Sequence, residues 1–325
     1  MTEIKQILIS EDITGSGIEK LKAKYKIITE PDLWKSLSQL EERIQGMGGL
    51  IVRNQTKVTA SLFIKAKELQ VIGRAGVGYD NIDVNAGSKS GVVICYCPEE
   101  NAVSVAEHVF ALILALARKI TWADRSVKGG EWDRKKYYGF ELQGKTLGIL
   151  GLGRIGARVA LRAKAFGMHI LAYDTYLSNT HLHVTESGAL LVPLGMLLAE
   201  SDFLTIHLPL NDETYRMFNA ETFQKMKSTA FLVNTSRGEV LVEEDLIEAL
   251  KNGKLAGAAL DVRQMEPPPP KNPLHALDNV ILTPHTAGLT YEAQEKVVNA
   301  IAEDVDRVLS GQPALRYLNF PLPKR

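Results

Sequence analysis

The chain has 325 residues, a length that suggests two domains, and its 45% hydrophobic and 23% charged composition is that of an ordinary globular protein. Lys and Arg total 38, as do Asp and Glu, so the formal net charge is zero. No field of one sign is present to hold a phosphodiester backbone, and a nucleic-acid partner is not expected. The N-terminal stretch has no charged segment followed by an apolar one, so no signal peptide is expected. The two cysteines, Cys95 and Cys97, have neither redox-pair nor zinc-site spacing. They read as small buried hydrophobes of a cytoplasmic protein, with no metal site.

In chain order, the first hundred residues carry five strand candidates, QILIS, KIITE, GLIVR, QVIGRAG and VVICYC, with helical segments between them. The most apolar stretch, residues 102–117, is too short to span a bilayer comfortably and is interrupted by Glu107 and His108. It reads as a buried helix carrying the chain into a second unit. Ser104 and Glu107 resemble a capping box, and Arg118 and Lys119 suit the helix C-terminus. From about residue 145, short runs alternate with helical segments: TLGILG, HILAYD, DFLTIH, AFLVNT, GAALDV and NVILTP. Most are apolar along their whole length, as strands buried on both faces of a parallel sheet are. The expected fold is α/β with two doubly wound domains, a Rossmann domain over 101–291 and a flavodoxin-like domain over 1–100. One amphipathic helix, beginning near residue 291, would return 292–325 to the first domain.

LGILGLGRIG places Gly151, Gly153 and Gly156 after a strand and at the opening of a helix. The first glycine permits a tight turn, the second lets backbone approach a pyrophosphate, and the third lets helix and strand pack closely. Asp174 ends the next strand, eighteen residues beyond Gly156, where a carboxylate can accept from the adenosine ribose hydroxyls. A 2′-phosphate beside it would cost on the order of 4 kcal/mol at 4 Å and an effective dielectric of 20. NAD rather than NADP is the expected cofactor.

Ligands of open α/β sheets bind outside the carboxyl ends of the strands. Arg237 follows AFLVNTS, Asp261 and Glu266 follow GAAL, and His285 follows NVILTP. A histidine can donate the proton that hydride transfer to a ketone requires. A carboxylate such as Glu266 would orient the ring and favour the imidazolium. Arg237 can hold a substrate carboxylate bidentately.

With these residues, the motifs GRAGVGYDNID, LGILGLGRIG, NTSRGEVLVEEDLIEAL and TPHTAG resemble the D-isomer-specific 2-hydroxyacid dehydrogenases over essentially the whole chain. The resemblance implies a substrate-binding domain built from both chain ends, a central NAD domain, and a homodimer or a dimer of dimers formed through the latter. It puts the catalytic arginine, glutamate and histidine at Arg237, Glu266 and His285. It puts NAD contacts at Val77, Arg154, Ile155, Asp174, His207, Leu208, Pro209, Thr235, Asp261 and Gly288, besides the three glycines. The backbone of Val77 and Gly78 corresponds to the loop that holds the substrate carboxylate. Two positions depart from the family pattern: Arg263, where an aromatic is common, and Thr286-Ala287, where a bulky apolar residue and glycine are common. Both bear on the shape of the pocket.

Within the family, the stretch over 129–156 is most similar to the phosphoglycerate-acting branch. Arg53, Arg74 and Arg134 are candidates to hold a dianionic phosphate, with 3-phosphoglycerate the favoured substrate. The alternatives are a hydroxypyruvate/glyoxylate reductase, a dehydrogenase of another small D-2-hydroxy acid, or a non-catalytic NAD-sensing scaffold. The chain stops soon after its terminal helix, so feedback through a further regulatory domain is not expected.

Overall fold

Two parallel sheets organise the chain in a computed structural model that describes residues 5–324. Residues up to Asn101, with those from Leu289 onward, form one compact unit, and Ala102–Gly288 form another.

In the first unit the strands are β1 (Gln6–Ile9), β2 (Lys26–Thr29), β3 (Gly49–Val52), β4 (Val71–Arg74) and β5 (Val93–Cys95), in the order β2-β1-β3-β4-β5, all parallel. That is the flavodoxin-like order. Every residue of β3 and β4 is buried, because helices cover both faces of the sheet. On one face the helix Tyr291–Leu309 lays Val297, Ile301 and Val305 against Ile7, Ile51 and Val71. Its first turn is capped by Thr290, whose Oγ1 accepts from the Ala293 N–H. On the other face Leu40, Leu62 and Phe63 pack with Leu8, Leu50 and Ile72. Fully burying one such side chain contributes about 1.5–3 kcal/mol.

In the second unit the strands are β6 (Thr146–Leu150), β7 (His169–Tyr173), β8 (Leu190–Leu191), β9 (Phe203–Ile206), β10 (Phe231–Asn234), β11 (Gly257–Leu260) and β12 (Val280–Leu282). Their order is β12-β11-β10-β9-β6-β7-β8, again parallel. The direction of winding reverses between β6 and β9, the switch point at which Rossmann sheets bind dinucleotides. The doubly wound fold read from the sequence is therefore present in both units. The two-residue edge strand β8 was not expected, since its run is too short to stand out from the sequence around it.

The helix Ala102–Arg118 buries Val109, Ile113 and Leu116 against Leu147, Ile149 and Val233. Its ends correct one expectation. Ser104 and Glu107 lie inside the helix and form no capping box, because the helical turn already begins at Ala102. At the far end Lys119 takes the left-handed conformation just beyond Arg118. Among the described residues no helix is long and apolar enough to cross a membrane.

Candidate active site

The glycine-rich turn joins β6 to the helix Arg154–Ala165. Gly151 has φ 89°, a left-handed conformation that suits glycine, and its N–H donates to the Tyr173 carbonyl over 2.9 Å. A Cβ on Gly156 would stand 2.1 Å from the Gly151 carbonyl oxygen, so only glycine lets this helix approach its strand. A Cβ on Gly153 would meet nothing within 4 Å. The helix that Gly153 opens has no side-chain cap, and such a helix N-terminus suits an anion.

The middle residue of the turn is held from two sides. Asp174 Oδ2 accepts from the Leu152 N–H at 3.0 Å, and His183 Nδ1 lies 3.0 Å from the Leu152 carbonyl oxygen. Asp174 Oδ1 accepts from the Tyr176 N–H at 2.9 Å. Arg154 and Ile155 open the helix. His207, Leu208 and Pro209 follow β9, and the His207 carbonyl lies against Gly151. Desolvation holds the His207 imidazole at about 3, so its ring is neutral, with Nε2 3.0 Å from Thr205 Oγ1. Thr235, just past β10, buries an Oγ1 that has no hydrogen-bond partner among the described residues. An orphaned buried hydroxyl, an uncapped helix end and an open glycine face together fit a bound dinucleotide. No group of three or more His, Cys, Asp or Glu that could hold a metal ion occurs among the described residues.

The candidate reacting groups stand at the carboxyl ends of β10, β11 and β12. Glu266 Oε2 is 2.6 Å from His285 Nδ1, and Glu266 Oε1 accepts from the Arg263 N–H at 2.9 Å. Burial works against the Glu266 anion. The hydrogen bond from His285, with the charge of Arg237, nevertheless holds its carboxyl below the ordinary range. Both His285 and Glu266 keep about a third of their side-chain surface exposed, so the pair is open to a small molecule. Arg237 follows Ser236, to whose carbonyl its Nη1 donates at 2.7 Å.

His285 has φ 55°, left-handed for a non-glycine residue, a strain of order 1–3 kcal/mol that its surroundings must impose. Asp261 imposes it. Its backbone carbonyl accepts from the His285 N–H at 2.8 Å. Its buried carboxylate accepts from the Thr286 N–H at 2.9 Å, the Ala287 N–H at 2.8 Å and Thr283 Oγ1 at 2.5 Å. His108 Nε2, on the helix Ala102–Arg118, stands 3.5 Å from the same carboxylate. Burial alone would raise the Asp261 pKa, but the bonds from His108, Thr283 and the two backbone N–H groups hold it far below the usual carboxylate range. The unusual Thr286-Ala287 pair thus lies inside this clamp. Gly288 ends the unit.

Arg263, the other departure, is buried and turns away from solvent onto Glu243. Arg134 sits on an exposed turn, Arg134–Tyr137, and lines a surface hollow of about 650 Å³ with Trp132 and Tyr138.

The first unit holds the remaining candidates. Arg74 ends β4 and is buried, with its guanidinium occupying the space beside Gly76 where a side chain would stand. Val77 and Gly78 follow, half-buried, and the Gly76 carbonyl accepts from the Cys97 N–H at 3.0 Å. Arg53 Nη2 donates to Gln294 Oε1, and burial lowers the guanidinium pKa against the pull of Glu11 and Asp12. Glu11 was not singled out in the sequence. It is 2% exposed and accepts from the N–H groups of Arg53, Gln55 and Thr56 and from Thr56 Oγ1. Asn81 Nδ2 closes the same loop by donating to the Arg53 and Thr56 carbonyls. A carboxylate two residues after β1, at the carboxyl edge of the sheet, was the available signal.

Residues 110–287 match the NAD-binding domain of the D-isomer specific 2-hydroxyacid dehydrogenases. The chain belongs to this family. It is 45% identical over 316 residues to D-3-phosphoglycerate dehydrogenase of Archaeoglobus fulgidus, covering 97% of this chain and 59% of the relative. It is 39% identical over 309 residues to glyoxylate reductase of Korarchaeum cryptofilum, covering 92% and 91%. Among solved structures, D-lactate dehydrogenase from Aquifex aeolicus, complexed with NAD and lactic acid, superposes with a TM-score of 0.88 at 30% identity over 98% of this chain and 100% of that one. The chain spans about three fifths of the length of the phosphoglycerate dehydrogenases of Archaeoglobus fulgidus and Methanocaldococcus jannaschii. Its central unit is thus an NAD-binding domain, and the glycine turn, Asp174 and Thr235 are the groups in it that suit NAD.

Proposed function

We propose that the protein is an NAD-dependent D-2-hydroxyacid dehydrogenase whose favoured substrate pair is 3-phosphoglycerate and phosphohydroxypyruvate, acting in the cytosol as a homodimer. The observation that carries the reaction class is the 2.6 Å contact between His285 and Glu266 at the carboxyl edge of an NAD-binding sheet. When bound, the nicotinamide supplies or accepts the hydride at the carbonyl carbon. Glu266 accepts from Nδ1–H of His285, which leaves Nε2 to carry the transferable proton. In the reducing direction the carbonyl oxygen takes that proton and becomes the hydroxyl. In the oxidising direction the neutral ring takes it back. Arg237 holds the substrate carboxylate and polarises the adjacent carbonyl.

Val77 and Gly78 are assigned to the substrate carboxylate, and Arg53, Arg74 and Arg134 to its phosphate. The 45% identity to a phosphoglycerate dehydrogenase supports that substrate. NAD is preferred because Asp174 would repel a 2′-phosphate. The two cysteines are free thiols, which supports a reducing compartment. The exposed aromatic side chains around the Arg134 turn support a second copy of the chain as partner.

A second reading, glyoxylate or hydroxypyruvate reductase, rests on the 39% identity to a glyoxylate reductase of similar length. The deciding experiment is the initial rate of NADH oxidation with phosphohydroxypyruvate, hydroxypyruvate, glyoxylate and pyruvate. A preference in kcat/KM for the phosphorylated acid is expected, and a preference for glyoxylate would move the protein to the second reading. His285→Ala should lose at least about a hundredfold in turnover while NADH still binds. NADH binding with no turnover of any keto acid by the parent would make the protein a non-catalytic scaffold.

A further inference from the structure

Glu266 is held by a loop whose root is a buried ion pair. Arg263 Nε and Nη2 donate in a fork to the two carboxylate oxygens of Glu243, each at 2.9 Å, with side chains about a tenth exposed or less. Glu243 opens the helix Glu243–Lys251. The same carboxylate accepts from the Gln264 N–H at 2.8 Å and from Asn272 Nδ2 at 3.5 Å. Glu243 therefore binds the loop after β11 at two consecutive residues and again where it returns. The next bond runs to the reacting pair, since the Arg263 N–H fixes Glu266 Oε1 and leaves Oε2 for His285.

The loop also packs on the other charged group. A Cβ on Gly238, the residue after Arg237, would stand 1.9 Å from the Arg263 carbonyl carbon. The backbone beside Arg237 is thus pressed against the backbone that positions Glu266. A surface ion pair would have little effect here, but a bidentate pair removed from solvent has one geometry and transmits it.

We propose that Glu243 and Arg263 are positioning residues for the proton-transfer pair: their buried fork fixes the rotamer of Glu266, and through it the orientation of His285. This rests on the catalytic reading of Glu266 and His285 given above. The charged or titratable groups around that pair are Arg237, whose charge acts on Glu266, and Asp261 with His108, which hold the histidine turn. None of these is altered by the variants proposed here.

The test uses the full chain. Arg263→Met leaves Glu243 buried and unpaired, so it can fail through instability alone. Glu243→Leu/Arg263→Met replaces the pair with apolar groups of similar size, a change that buried pairs often tolerate. Arg263→Lys keeps the charge and loses the fork. The readouts are thermal unfolding, NADH affinity, kcat and KM for the keto acid, and the pH profile of kcat.

The double variant is expected to unfold near the parent temperature and to bind NADH within about twofold, while kcat falls about 10- to 100-fold, the scale of a misplaced reacting group. Its pH profile of kcat should differ from the parent's, because the reacting pair no longer has one fixed geometry, while KM for the keto acid stays within about twofold. Arg263→Lys should lie between it and the parent. A folded double variant, or a folded Arg263→Lys, with parental kcat and pH profile would overturn the proposal. If Glu266→Gln and His285→Ala also kept parental turnover, the catalytic reading would fall with it; if those two lost turnover, only the positioning role would be lost.

Discussion

At the scale of single residues, Asp261 is the acceptor that holds the turn carrying His285. Its oxygens already take two backbone N–H groups and a threonine hydroxyl. An amide at this position turns one acceptor oxygen into an NH₂ facing an N–H. Asp261→Asn should therefore lower stability at neutral pH by about 2–4 kcal/mol, the loss of one or two charge-assisted hydrogen bonds at a buried site. The folded pKa of Asp261 is depressed from the ordinary 3.8. Its contribution is fully present above that unfolded value and is lost as pH falls through the folded one. The deficit of Asp261→Asn, measured by denaturant unfolding, should be constant from pH 6 to 8 and narrow below about pH 4. A deficit independent of pH down to 3 would mean that the carboxylate charge plays no part in holding the turn.

At the scale of elements, the glycine turn after β6 separates two kinds of necessity. Gly156 is required by the protein itself, since any Cβ would press on the Gly151 carbonyl at 2.1 Å. Gly153 is required by nothing among the described residues, since a Cβ there meets open space. Gly156→Ala should destabilise the fold by about 1–3 kcal/mol, as overpacking does. Gly153→Ala should unfold like the parent yet bind NADH at least about tenfold more weakly, some 1.4 kcal/mol, because its methyl group enters the space given to the pyrophosphate. Fluorescence titration with NADH beside thermal unfolding distinguishes the two. Parental NADH affinity in Gly153→Ala would show that the cofactor does not approach this face.

The same elements explain what the sequence made legible. Strands buried on both faces of a parallel sheet read as apolar runs, and the polar residue that ends each run marks the edge where ligands bind. Arg237, Glu266 and His285 were proposed that way, and each lies within six residues of a strand end. The edge strand β8 was lost because two residues make no pattern. Supporting contacts were lost for a different reason. Glu243 and Arg263 meet across twenty positions and Glu11 reaches the loop beyond β3 across more than forty, so neither leaves a local spacing to read. Arg263 looked like a change in the pocket, and only its burial against Glu243 gives it another role.

At the scale of the whole molecule, the second unit leaves part of its apolar surface in water. Trp132 is 79% exposed and Tyr138 77%, with Ile120, Val127 and Phe140 exposed in the same segment of chain between the helix Ala102–Arg118 and β6. Monomers rarely leave several large apolar side chains together in solvent without a partner. A net charge of zero offers no long-range repulsion between copies of the chain. Aromatic side chains are also the residues on which the stability of an interface concentrates. The expected outcome is a dimer, or a dimer of dimers, by sedimentation at micromolar concentration. Trp132→Asp combined with Phe140→Asp should reduce the mass to that of one chain, each charge costing about 2 kcal/mol or more at the centre of a buried patch. Neither substitution touches the Asp261 clamp or the glycine turn, so thermal unfolding should still show a folded NAD-binding unit. A parent that sediments as a monomer at that concentration would leave these aromatics without a partner copy, and the homodimer would have to be given up.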